Sequence, residues 1–417
     1  MVSFLNNNIY CRQIMKKINF KSILMLGFTL LALTSCSEID DEINNILFGR
    51  VFSPVGLEAK SIGETSATLD WTSSKGASSY IVEIYADDSL TFSGTPAQTI
   101  EVSGSDATCK ISDLVYDTPY SARVMAKDST DTDRDSKWSE VYFRTSTQSL
   151  LNDPNTSVTN IEDKAVKLSW KESAGTDVTT ITATAADGTV VTYNITDADK
   201  TAFSAKVTGL TPGTTYSFQL LNGKKIRGKA SAKTIDLTGA TVLHEGDDLA
   251  AAITNADAGA ILALYPGKYT IPGEGVTAGS AIINKTITIK SVYESAKAVI
   301  NGRFEMNDGA GLNLTDVIMD GTGTSGDQAF NYKTAGVTYA PLMIENCEIE
   351  NYTKGIYYIN VASTVQKIAL NKCLVHHIEC TGGDMLDNRK GYLQELSLTS
   401  STFYNSCAGR DFIRMDD

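Results

Sequence analysis

The 417-residue chain lacks most of the short signatures from which an enzyme is usually recognised. It has no Cys-x-x-Cys pair of the kind that holds structural zinc, no Gly-x-Ser-x-Gly elbow, no Walker loop and no Rossmann fingerprint. Its seven cysteines are scattered, and the five that follow Cys36 form no evident disulfide framework. Basic residues are outnumbered, with 36 Lys and Arg against 49 Asp and Glu and a net charge of −13. Such a surface has little with which to displace counterions from phosphates, which excludes nucleic acid as a partner. It also makes any grip on an acidic polysaccharide depend on a local basic patch or a bridging cation. Beyond the first 36 residues no apolar run is long enough to span a bilayer. His376 and His377 are adjacent, and neighbours on a strand face opposite ways, so both reach one ion only at a bend. With His244 far away, no metal site is assigned.

What is present begins with an address. Lys16, Lys17 and Lys21 precede an apolar stretch from Ile23 to Leu33, too short for a transmembrane helix, and Leu33-Thr34-Ser35-Cys36 closes it. This pattern resembles the lipobox of bacterial lipoproteins. The resemblance implies lipidation of Cys36, which becomes the mature N-terminus, and Met15 is a more natural start than Met1. The acidic stretch Ser37-Glu38-Ile39-Asp40-Asp41-Glu42 resembles the export signal of Bacteroidota lipoproteins. It implies an outer-membrane protein, lipid-anchored and facing the cell exterior. Residues 1–36 are then the leader and 37–52 an acidic linker.

The chain next repeats itself. Ala67-Thr68-Leu69-Asp70-Trp71 returns as Val166-Lys167-Leu168-Ser169-Trp170, each alternating as a half-buried strand does. Leu114 lies six residues before Tyr120, and Leu210 six before Tyr216. A strand Trp followed by Leu-x5-Tyr resembles the fibronectin type III fold, over residues 53–146 and 152–236. The resemblance implies a core Trp and a Tyr making a corner hydrogen bond. The second module has no counterpart of Tyr80. Spacers are the expected role for both. The acidic loop of Asp128, Asp131, Asp133 and Asp135 lacks the glycine and terminal Glu of an EF-hand and reads as solvated.

From residue 240 the texture changes. Asp247-Asp248 starts a short helix, and an apolar strand and Pro266-Gly267-Lys268-Tyr269 come after it. This resembles the opening of a pectate-lyase-type right-handed parallel β-helix, with the helix capping its end. Four segments beginning at Leu312, Leu342, Ile368 and Leu396 superimpose at intervals of 30, 26 and 28 residues, a solenoid period. Their first, third and sixth residues should point inward, continued by Met319, Ile349, Val375 and Phe403. Cys347 and Cys373 share an inward slot on adjacent coils, as buried hydrophobes or as a disulfide. The fold expectation is therefore all-β: two fibronectin type III sandwiches followed by a right-handed parallel β-helix over 240–417. Because Arg410 to Asp417 starts a strand without a cap, the domain is expected to continue further.

The combination resembles Bacteroidota surface lipoproteins associated with polysaccharide utilisation. It implies a protein that binds extracellular polysaccharide, of plant cell-wall or host origin, beside outer-membrane glycan uptake proteins, with no cofactor. Gly321 to Pro341 reads as a longer loop, and Phe330, Tyr332, Tyr339, Tyr357 and Tyr392 are the candidate sugar-stacking rings. One alternative is a polysaccharide lyase. The family-six lyases, which the domain resembles distantly, imply a Lys base at Lys390, an Arg at Arg414 and calcium, although their glutamates before the Lys are absent here. A second alternative is an adhesin or structural surface protein.

Overall fold

The computed structural model describes residues 49–416. The leader with Cys36, and the acidic stretch after it, lie outside the described residues.

The first module is a sandwich of a three-stranded sheet (Val55–Lys60, Ala67–Thr72, Thr108–Ile111) on a four-stranded one (Gln98–Ser103, Ser79–Ala86, Pro119–Lys127, Ser139–Arg144). Alternation in Ala67–Thr72 drives Leu69 and Trp71 into the core, where Trp71 meets the edge of Tyr80 at 5.2 Å. Tyr120 forms the expected corner, its hydroxyl accepting from the Val115 N–H at 2.8 Å. The second module repeats the plan: Trp170 is buried and the Tyr216 hydroxyl accepts from the Thr211 N–H at 3.0 Å. Its first strand is reduced to two isolated bridges, Leu151 to Trp170 and Ile161 to Val166. Pro154 opens the short turns between them, and proline has no N–H to give a ladder.

Both junctions are packed. Between the sandwiches, Asp117 accepts from Arg144 at 2.8 Å and from the Ile226 N–H of the second module at 2.7 Å. Between the second sandwich and the C-terminal region, Tyr265 and Tyr293 are buried, the first exchanging hydrogen bonds with Asp163 and the second donating to the Ile161 carbonyl at 2.7 Å.

Residues 240–416 wind into a parallel β-solenoid of about six turns. Each full turn contributes a strand to three successive faces. The first face runs from Ala240–Leu243 to Leu396–Thr399, the second from Lys268–Thr270 to Thr402–Tyr404, and the third from Ser280–Ile283 to Ile413–Met415. A short fourth face stacks Thr338–Tyr339, Thr364–Val365 and Tyr392–Leu393. The register matches the sequence alignment: Leu312, Leu342, Ile368 and Leu396 are successive partners, as are Met319, Ile349, Val375 and Phe403. Matching rows about 4.8 Å apart bury a continuous core that no single turn could close. Asp316, Asn346, Lys372 and Ser400 all adopt a left-handed conformation, which turns each coil from the first face to the second. Leu249–Asn255 caps the first turn, Asp248 accepting from the Ala251 N–H at 2.9 Å while Leu249 and Ile253 face the core. Cys347 and Cys373 occupy matching inward slots as free thiols. Burial pushes the Cys347 thiol up to about 12, which makes it a packing group and not a nucleophile.

Candidate functional site

Four of the five proposed sugar-stacking rings are interior. Phe330, Tyr332, Tyr339 and Tyr357 are all buried in the solenoid core. The stretch from Gly321 to Pro341 is not simply an external loop. Phe330–Tyr332 is a third-face strand held between Arg303–Met306 and Tyr357–Ile359. Phe330 stacks on Phe304 at 6.0 Å, and Tyr332 meets Tyr339 edge-on at 4.8 Å. The Tyr339 hydroxyl donates to the Met306 carbonyl at 3.0 Å and accepts from the Thr334 N–H at 2.8 Å. Tyr352 is interior as well, its hydroxyl donating to the Gly302 carbonyl at 2.5 Å.

Tyr392 is the exception, with 66% of its surface exposed. It stands at the fourth face in one column with Thr338 and Thr364, and beside it opens a groove of about 400 Å³. Gly336, Thr338, Ser363, Thr364, Lys390 and Tyr392 line that groove. Gly391 sets the geometry: a Cβ there would lie 2.3 Å from Ile359 Cγ2, so only glycine lets this turn settle on the coil before it. Lys390 and Tyr392 are thereby held on either side of a close-packed backbone. Lys390 is exposed, and among the described residues no ion pair occupies its ammonium.

Arg414 is placed differently. Its strand partner is Asp387 on the third face, and its guanidinium is spent on Asp416 at 2.7 Å and Asp384 at 3.5 Å. Arg389 forks onto Asp387 at 2.8 and 2.9 Å, and Arg410 reaches Asp384 at 3.1 Å. Asp384 and Asp387 are almost fully buried, so these arginines neutralise carboxylates that burial would otherwise penalise. The structure does not gather Lys390 and Arg414 around one groove.

A second surface escaped the sequence reading. On the outer side of the second face, Thr270, Asn301, Asp320, Glu350, His376 and Tyr404 are successive register partners. Each of the last four sits one residue past an aligned inward position (Met319, Ile349, Val375, Phe403), and that offset was the available signal. Asp320 is fully engaged, with Lys268, Thr322 and Asn351 around it. Glu348 and Glu350 converge on His376, their oxygens 2.6 and 3.6 Å from its Nε2. Burial foremost, and then the Glu348 carboxylate, raises the Glu350 carboxyl above its ordinary range. His376 and His377 stand at a bend of the kind the sequence reading made the condition for their convergence: the strand ends at His376 and His377 turns left-handed at φ 53°. Their Nδ1 atoms lie 2.6 Å apart. A groove of about 560 Å³, lined in part by Asn351, His377, Glu379 and Ser406, opens beside them.

Residues 52–142 match the fibronectin type III domain, and residues 267–406 match a domain of unknown function, DUF4957. No curated protein matches the chain. Among solved structures, a two-domain fibronectin type III segment of chicken tenascin is 19% identical, with a TM-score of 0.31, and the match covers 43% of this chain and 99% of that one. A computationally redesigned β-sandwich protein is 17% identical, with a TM-score of 0.20, covering 22% of this chain and 94% of its own. The chain thus joins a fibronectin type III domain to a C-terminal β-solenoid that contains a DUF4957 domain.

Proposed function

We propose that this protein captures uronate-bearing extracellular polysaccharide on the fourth face of its solenoid, and that a lipid on Cys36 holds it on the outer membrane, with the sandwiches as spacers. A separate uptake system would receive the glycan. One observation carries the reading: an open tyrosine ring and an ammonium with no ion pair among the described residues flank a groove lined with hydroxyls. Tyr392 offers an apolar face for the C–H side of a pyranose. Thr338, Ser363 and Thr364 offer hydroxyls that can donate or accept. Lys390 supplies the local positive charge that a protein of net charge −13 needs to hold a carboxylate. The packed junctions at Asp117 and Asp163 suit a stiff spacer that keeps this surface away from a membrane.

The lyase reading has less support, because Arg414 is paired elsewhere and does not line the Lys390 groove. Electrophoresis of the full chain through gels cast with pectin, alginate or a glycosaminoglycan tests capture, with absorbance near 235 nm followed in parallel. The expected result is retardation by at least one uronate glycan without growth of that absorbance. An unsaturated product would establish the lyase, and free migration in every gel would favour the adhesin.

A further inference from the structure

We propose that Glu348, Glu350 and His376 form a binding site for a divalent transition-metal ion, with zinc the best-fitting ion. The site lies on the second face and is separate from the glycan groove.

The donor set comes from two adjacent coils. Glu348 and Glu350 are alternate residues of one strand, so the pleat sends both carboxylates to the same outer side. His376 is the register partner of Glu350 on the next coil. One ligand atom from each of the three lies within 4.8 Å of the others. Around a tetrahedral zinc with bonds of about 2.0–2.2 Å, donor atoms stand about 3.3 Å apart. The present separations of 2.6 and 3.6 Å from Nε2, with 4.8 Å as the outer limit, bracket that figure. Small side-chain rotations suffice, since both glutamates are partly exposed.

The surroundings of His376 favour a ligand over a simple ion pair. Its ring is 5% exposed and fixed by stacking on Tyr404 at 5.0 Å. Its Nδ1 is paired with His377 Nδ1 at 2.6 Å, an outer partner that can fix the tautomer and leave Nε2 directed at the glutamates. Among the described residues no direct ion pair or side-chain donor other than His376 reaches Glu348 or Glu350, and His377 acts on Glu350 only at longer range, so two carboxylates share one directly bonded imidazole. An ion bound between them would settle that charge imbalance. An imidazole nitrogen suits zinc and its neighbours in the first transition row, whereas calcium prefers a shell of oxygens. Three protein ligands leave a coordination position open, and the partial exposure of both glutamate side chains leaves a path for solvent to reach it.

Isothermal titration of the metal-free, tag-free full chain with zinc chloride, alongside cobalt(II) titration read in the visible spectrum, tests the proposal. The expected result is one equivalent bound, with cobalt bands of a low-coordinate nitrogen–oxygen site. Glu350→Gln and His376→Phe should each raise the Kd at least tenfold and remove the cobalt bands, while circular dichroism stays unchanged. Glu350→Gln leaves the stacked histidine in place, so it remains informative if His376→Phe fails to fold. Absence of binding, zinc binding that survives Glu350→Gln, or calcium binding as tightly as zinc would each overturn the proposal.

Discussion

One register position separates Tyr357 from Tyr358, and it reverses what each ring can do. Tyr357 points into the solenoid and is buried, and its phenol is pushed upward by desolvation. Tyr358 points outward and carries the Arg389 guanidinium 5.2 Å from its ring centre. A count of aromatic residues along the coils cannot separate these cases, because the pleat sets burial with a period of two. That is why Tyr392 alone remained from the five candidate rings. Polar residues at this scale behave more transparently. Asp88 accepts from the Thr91 hydroxyl, and from the Thr91 and Phe92 N–H groups at 3.0 and 3.3 Å. The Thr91 hydroxyl foremost holds its carboxyl down at about 2. A carboxyl depressed in the folded state stabilises fully above the unfolded value of about 3.9. For Asp88 that contribution is lost as the pH falls through about 2. Titration of the Asp88 carboxyl by NMR should give a midpoint near the depressed value; a midpoint near about 4 would contradict these hydrogen bonds.

At the scale of elements, the alignment of four segments was enough to place four inward rows, and the strand register follows it at the first, the second and the last of them. The fourth face was equally within reach. Thr338, Thr364 and Tyr392 each lie four residues before an aligned leucine or isoleucine. It was missed because two-residue strands carry no periodicity of their own. The acid and histidine column is hard to read for another reason: Asp320, Glu350, His376 and Tyr404 share no residue type or hydrophobicity that would align them, because outward positions are not held to a common core. The reduced first strand of the second sandwich was not legible either, since bridges at Leu151 and Ile161 depend on the partner strand. Nearest-neighbour stacking has a measurable consequence. Leu314 is packed between coils on both sides, whereas Leu398, its counterpart in the last described turn, is only half-buried. Leu314→Ala should cost about 2–5 kcal/mol, as read from urea midpoints of the solenoid transition. A loss below about 1 kcal/mol would argue against Leu314 being packed between two coils.

For the whole molecule, architecture and site inform each other. Two sandwiches with hydrogen-bonded junctions lead to a solenoid whose outer faces repeat every turn. A repeating face suits a repeating polymer, since sugar units along a chain can meet equivalent positions on successive coils. The acidic balance of the chain makes the location of free positive charge decisive. Asp384 and Asp387 occupy the arginines of the third face, while Lys390, beside Tyr392, has no ion pair among the described residues. The most direct measurement is calorimetric titration of a uronate oligosaccharide into the full chain and its Lys390→Gln and Tyr392→Ala variants at low and high salt. Capture on the fourth face predicts that Tyr392→Ala weakens binding about tenfold or more at both salt concentrations. Lys390→Gln should weaken it mainly at low salt, where screening is least. Binding unchanged in both variants would contradict the account.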